Sequence, residues 1–152
     1  MAADLEHINL FGTAVINGSG DALNIIITGN TGNNVIDGGL GNDTLSGGLG
    51  QDFFDFNAVV ESLVGASRNI ITDFSHSQLD KIDSSTIDAK SMLVIDQAFL
   101  SAVLTSGAFT SAGQLRLVVN VLSGNTDIDF TSSEFDIKLT GIDILTSIDF
   151  IL

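Results

Sequence analysis

Gly38-Gly39-Leu40-Gly41-Asn42-Asp43-Thr44-Leu45-Ser46 runs directly into Gly47-Gly48-Leu49-Gly50-Gln51-Asp52-Phe53-Phe54-Asp55. Both nonapeptides fit Gly-Gly-x-Gly-x-Asp-x-U-x, where U is large and apolar. One step back, residues 29–37 keep Gly29 and Gly32 at positions one and four and place Asn34 at position six. A further step back, residues 20–28 keep only Gly20 and an apolar U. The U residues are Ile27, Ile36, Leu45 and Phe54, each nine residues from the next. A short strand after each turn explains this spacing, because strand side chains alternate faces and U then points inward while Thr44 and Ser46 point out. The glycines allow tight turns with positive φ. Carbonyls in such a turn can converge on one point, and the Asp closes it with negative charge.

A flexible glycine-rich linker needs no apolar residue at every ninth position. A dinucleotide-binding fingerprint fails as well: the run from Gly39 to Thr44 lacks its last Gly, and no helical pattern follows. An EF-hand would need a fixed loop spacing and a terminal Glu, both missing here. The composition fits a folded domain, with 152 residues, 44% of them hydrophobic. Five Lys and Arg against nineteen Asp and Glu give a net charge of −14, which makes nucleic acid a poor partner. Without cysteine there are no disulfides, thiolate zinc sites or thiol redox chemistry. No apolar stretch reaches the roughly 18 residues of a membrane span. The opening Met1-Ala2-Ala3-Asp4-Leu5-Glu6-His7 has neither a basic segment nor an apolar signal core, so export through an N-terminal signal is not expected.

The nonapeptides resemble the RTX family, named for its repeats in toxins. The resemblance implies a parallel β-roll with two repeats per coil and Ca2+ between turns two repeats apart. Carried onto this chain, the 29–34 turn stacks on the 47–52 turn. The implied ligands are the carbonyls of Gly29, Thr31, Gly48 and Gly50 with the side chains of Asn34 and Asp52. Six to eight hard oxygens, many of them carbonyls, suit calcium, and Asn for Asp at residue 34 is expected to weaken this site. The resemblance also implies a second site in which Asp73 and Asp80 complete a set with Gly38, Leu40 and Asp43. The contact of the 38–43 turn with residues 20–25, which lack an acid at position six, is expected to hold no metal.

The end of the chain resembles a narrower group, the serralysin-type metalloproteases, through Gly113-Gln114-Leu115-Arg116, then Phe135-Asp136-Ile137-Lys138-Leu139-Thr140-Gly141, then Asp149-Phe150-Ile151-Leu152. That group often carries an Asp-rich run before its Phe-Asp-Ile strand. Here Asp127-Ile128-Asp129-Phe130-Thr131-Ser132-Ser133 departs from it, so no metal is expected there. The resemblance implies an uncleaved type I secretion signal, with Asp149, Phe150, Ile151 and Leu152 facing the ABC transporter. An edge strand that packs on the core is the alternative for the same residues.

The expected fold is all-β: an N-terminal cap and roll over residues 1–56, then a β-sandwich-like region over 57–152 with one or two short helices, packed as one unit. Residues 57–66 read as a short helix or a loop, 96–104 as a short helix, and 114–122, 125–130, 134–140 and 142–145 as strands. His7 and His76 sit in unlike contexts and no His-Glu-x-x-His motif exists, so no active site is expected. The function expected is a calcium-binding domain of a secreted, extracellular bacterial protein, loose at cytosolic calcium and folded outside. Two alternatives remain: a calcium-dependent polysaccharide-binding module, which the absence of Trp and Tyr and the presence of only five cations disfavour for an acidic glycan, and a surface-layer or adhesin anchor.

Overall fold

A computed structural model describes residues 6–87, 99, 103–105, 108–127, 132–142 and 144–152. Each repeat yields a short strand after its turn. The first six strands are β1 (Glu6–Asn9), β2 (Gly18–Ser19), β3 (Ile25–Thr28), β4 (Val35–Asp37), β5 (Thr44–Ser46) and β6 (Phe53–Asp55). Odd strands pair in parallel in one sheet and even strands in the other, so two repeats make one coil.

The roll does not stop where the nonapeptides do. It continues through β7 (Asn69–Ile71) and β8 (Lys81–Asp83). It then takes in β9 (Val103–Leu104), β10 (Gln114–Val118), β11 (Val121–Asn125), β12 (Phe135–Leu139) and β13 (Phe150–Ile151). The larger sheet has the order β1-β3-β5-β7-β12-β11-β10-β9, the smaller β13-β8-β6-β4-β2. Among the described residues all pairings are parallel except β10 with β11 and β11 with β12.

The register explains what holds the coils together. Ile8, Ile27, Leu45, Ile71 and Leu139 stand opposite one another along the larger sheet. Gly18, Ile36, Phe54, Ile82 and Phe150 do so along the smaller. All but Ile8 and Gly18 are buried hydrophobics of one core. Neighbouring coils therefore bury their U side chains against each other, the main favourable term for a roll with three-residue strands. At Gly18 a Cβ would lie 3.0 Å from the Ile27 side chain, which fills the first coil from across.

The later rungs are hard to read in sequence because 26 residues separate Leu45 from Ile71 and 28 separate Phe54 from Ile82, where a regular coil has 18. The expected strand over 114–122 is broken by Val119 and Asn120, with φ of 48° and 63°, which turn the chain into the β10–β11 hairpin. Residues 57–66 hold 3-10 turns at Val59–Glu61 and Gly65–Ser67. Of the expected 96–104 helix, residues 96–98 and 100–102 lie outside the described residues, and Val103–Leu104 pair as a strand. Residues 128–131 also lie outside, and the described part of 142–145 forms no strand. Among the described residues the helices are 3-10 turns only.

Candidate metal centre

The turns fall into two stacks on the two long edges of the roll. One stack holds residues 10–17, 29–34, 47–52, 72–80 and 140–149; the other begins with 20–24, 38–43 and 56–68. Within each stack, the residue two before U reaches back one coil. Asp52 Oδ1 accepts the Asn34 N–H at 2.8 Å, and Asp80 Oδ1 accepts the Asp52 N–H at 3.0 Å. In the other stack Asp43 Oδ1 accepts the Ile25 N–H at 3.0 Å, and Asn69 Oδ1 accepts the Asp43 N–H at 2.7 Å.

The second oxygens carry the chemistry. Asp43 Oδ2 and Asp52 Oδ2 are buried and have no hydrogen-bond partner. A buried carboxylate oxygen left unmatched is costly, and the usual remedies are a proton or a cation. Burial, the dominant cause, pushes the Asp43 carboxyl up to about 6, with Asp37 and Asp21 adding to the rise against the hydrogen bond from the Ile25 N–H. Burial likewise pushes Asp52 up to about 6, opposed by the Asn34 N–H and reinforced by Asp80 and Asp73. Position one of the repeat must be glycine to make room: a Cβ at Gly38 or Gly47 would lie 2.4 Å from Asp43 Oδ2 or Asp52 Oδ2.

Among the described residues no three His, Asp or Glu side chains converge on a metal-sized point. A cation here would therefore be held by one carboxylate and by carbonyls. The carbonyls of Gly29, Thr31, Gly48 and Gly50 accept no hydrogen bond among the described residues, whereas the Asn30 carbonyl takes the Leu49 N–H at 2.9 Å. Carbonyls with a single carboxylate form a hard-oxygen donor set that fits Ca2+.

The fold brings the 29–34 and 47–52 turns together but divides the expected ligands differently. Asn34 turns away from Asp52. Its Nδ2 donates to the Ile16 carbonyl at 2.7 Å and to Asn30 Oδ1 at 3.3 Å, and its Oδ1 accepts the Asn30 N–H at 3.0 Å. Asp52 is thus the acid of that turn pair, and Asn34 serves the pair before it. Asn34→Asp is accordingly expected to destabilise the calcium-free protein by about 1–3 kcal/mol, since it exchanges two donated hydrogen bonds for a carboxylate facing two oxygens. Urea unfolding in chelator measures this; an unchanged or raised midpoint would contradict it.

Asp73 and Asp80 do not meet Gly38, Leu40 and Asp43. They lie in the 47–52 stack, because the 56–68 segment makes the crossing to β7 and the chain then returns to the first edge. Both carboxylates are engaged there. Asp73 accepts from the Gly47 and Gly48 N–H groups at 2.9 Å and from Ser46 Oγ at 2.6 Å, and Asp80 Oδ2 accepts the Ser75 N–H at 2.8 Å. Burial, opposed by hydrogen bonds from Asp52 and Ser75, raises the Asp80 carboxyl. Asp43 faces back to 20–25, the contact expected to hold no metal, so an acid from the later turn supplies what the earlier turn lacks.

Asn69, which closes the Asp43 ladder, and Gln78, whose Oε1 accepts the Gly50 N–H at 2.9 Å, escaped the sequence reading. A signal for Asn69 exists: it stands two residues before Ile71, as Asp43 does before Leu45. At the chain end, Phe150–Ile151 form an edge strand on β8, with Asp149 and Phe150 buried.

Residues 26–54 match the model of the RTX calcium-binding nonapeptide repeat, in four copies. The solution structure of the AlgE6R3 subunit from the Azotobacter vinelandii mannuronan C5-epimerase superimposes on the chain with a TM-score of 0.60 at 25% identity, covering 99% of this chain and 80% of that chain. No curated protein matches the sequence. Among the described residues no helix is long and apolar enough to cross a membrane.

Proposed function

We propose that this chain, whose residues 26–54 are RTX calcium-binding repeats, is a non-catalytic domain of an exported bacterial protein that completes its fold on extracellular calcium. The observation that carries the proposal is the pair of buried, unmatched oxygens on Asp43 and Asp52. Bound calcium supplies positive charge and open coordination positions to carbonyl and carboxylate oxygens. Asp52 and the carbonyls of Gly29, Thr31, Gly48 and Gly50 would hold one ion. Asp43 would hold another against the 20–24 turn. Asp73 and Asp80 shape the 47–52 turn from its far side.

An ion that binds the folded chain alone stabilises it by about 2.7 kcal/mol per site at 100 times Kd. Extracellular modules typically bind calcium at about 10⁻⁴–10⁻³ M, so the ion would order the roll outside the cell rather than in the cytosol. Thermal melting followed by circular dichroism tests this. A higher Tm in millimolar calcium is expected, and identical curves in calcium and chelator would sink the proposal. The four residues Asp149, Phe150, Ile151 and Leu152 are proposed to engage a type I ABC transporter, and their deletion is expected to abolish export of the chain from secreting cells.

A second reading, binding of an acidic polysaccharide, is favoured by one cleft and by the structural neighbour. Of only five cationic side chains in the sequence, Lys138 and Arg68, the latter 3.7 Å from the Asp136 carboxylate, line a cleft of about 400 Å³ beside Asn42, Ile70 and Val121. The neighbour is a subunit of a mannuronan epimerase. Calorimetric titration with mannuronan in calcium decides: binding that is lost in Lys138→Ala supports this reading, and no heat removes it.

A further inference from the structure

The 72–80 turn has two working faces. Toward the 47–52 turn it presents Asp73 to the Gly47 and Gly48 N–H groups and Asp80 to the Asp52 N–H. On the opposite side it grips the last strand. His76 Nδ1 meets Asp149 Oδ1 at 2.6 Å, and Lys81 Nζ donates to the Ile148 carbonyl. The Ser84 N–H donates to the Ile151 carbonyl at 2.9 Å, and Phe150 stands opposite Ile82 in the core ladder.

Asp149 is only 1% exposed, and its other oxygen closes a reciprocal cap with Thr146, accepting the backbone N–H at 2.7 Å and the hydroxyl at 3.0 Å. Strand β13 is two residues long and, among the described residues, has a single sheet neighbour, β8, at the edge of the smaller sheet. Its backbone pairing is too short to hold it alone, since isolated pairings of this kind are marginal in water. Docking of 146–152 therefore depends on the shape of the 72–84 segment.

That shape depends in turn on three aspartates. Asp52, Asp73 and Asp80 gather where the 47–52 and 72–80 turns meet, with no Lys or Arg in ion-pair contact among the described residues. Their mutual repulsion opposes the closed turn, and a cation held at Asp52, between the 29–34 and 47–52 turns, offsets it by neutralising one of the three charges.

We infer that the 72–80 turn couples calcium on one side to docking of strand β13 on the other, so that calcium latches residues 146–152 onto the roll and its loss releases them. The inference rests on the calcium reading above. A ligand shifts a docking equilibrium only through its preference for one state, and the aspartate-lined turn supplies that preference. The release has a functional consequence. Of the residues proposed to meet a transporter, Asp149 and Phe150 are buried and Phe150–Ile151 are paired in the sheet when the tail is docked. They are presented only while the roll is cation-free.

Hydrogen–deuterium exchange of the full chain, read by mass spectrometry, tests the coupling. In saturating calcium the amides of 146–152 are expected to exchange at least tenfold more slowly than in chelator. His76→Ala, at a half-exposed side chain, should remove that protection in saturating calcium while β3 through β6 stay protected. Asp80→Asn, which removes one of the three charges, should instead raise the protection of 146–152 in chelator toward its calcium level. Calcium protection of β3–β6 with unchanged exchange in 146–152 would overturn the latch and leave the calcium reading intact. So would full tail protection in His76→Ala. If Asp80→Asn does not fold, the His76→Ala comparison decides alone. Exchange that calcium alters nowhere in the chain overturns both.

Discussion

In calcium-free buffer, raising the pH from 4 to 7 is expected to lower the stability of the fold by roughly 4 kcal/mol, and saturating calcium is expected to abolish that loss. The sign follows from Asp43 and Asp52. Each holds its proton to about pH 6 in the folded chain, against an ordinary value of 3.8 in the open chain. Between these values the folded state binds more protons than the unfolded state, so stability falls as pH rises. The fall begins near pH 4 and is complete above about 6. Buried Asp and Glu paired with Arg or Lys would give the opposite slope. Calcium takes the ionised form, so at pH 7 it replaces the two missing protons, and its affinity should weaken as the pH drops below about 6. Urea unfolding midpoints across this range, with and without calcium, measure both limbs. A flat or rising profile in chelator would show that the two carboxylates are not left unmatched in the calcium-free fold.

Gly48→Ala is expected to cost about 3 kcal/mol or more and to weaken calcium binding along with the fold. Gly48 has a φ of +90°, and a Cβ there would lie 2.2 Å from the Asn30 carbonyl oxygen of the coil below. The left-handed backbone alone costs an alanine about 1–2 kcal/mol. The collision adds to it, because backbone rather than a movable side chain is struck. Relief would need the 29–34 and 47–52 turns to separate, breaking the Leu49 to Asn30 hydrogen bond and spreading the proposed donor set. Gly12→Ala is the control. Gly12 also has a φ of +90°, but nothing lies within 4 Å of the added carbon, so only the backbone cost of about 1–2 kcal/mol should appear. Equal effects at the two positions would mean that the coils are not packed as closely as the turn geometry requires.

The roll was legible in the sequence because its period is carried by residues that do one job each. Glycine makes the turn, Asp or Asn sits two residues before U, and U fills the core. The inward pointing of Ile27, Ile36, Leu45 and Phe54 follows from spacing alone, and all four are fully buried. Legibility failed where the chain keeps the coil but changes the number of residues in it. Asn69-Ile70-Ile71 and Asp80-Lys81-Ile82 retain the spacing of two between the amide or acid and U, yet the 56–68 and 72–80 segments differ in length from the nonapeptide turn and hide the period. The pairing of Asp73 and Asp80 with the 38–43 turn failed for the same reason, since which edge a turn occupies depends on counting crossings. The backward reach of Asp43 could not be read from its own repeat, because its partner, the Ile25 N–H, lies where the earlier repeat has lost its acid. In sequence, residues 149–152 fit both a signal and an edge strand. The strand is present, and the burial of Asp149 against His76 needs a contact 73 residues away in sequence.

Calcium between the coils is tested most directly by an anomalous difference map from crystals grown in millimolar calcium. The expected result is a peak between the 29–34 and 47–52 turns, about 2.3–2.6 Å from Asp52 Oδ2 and from carbonyls of both turns, with a second peak beside Asp43 Oδ2. A map with no peak at either aspartate, and with both oxygens still without a partner, would contradict it.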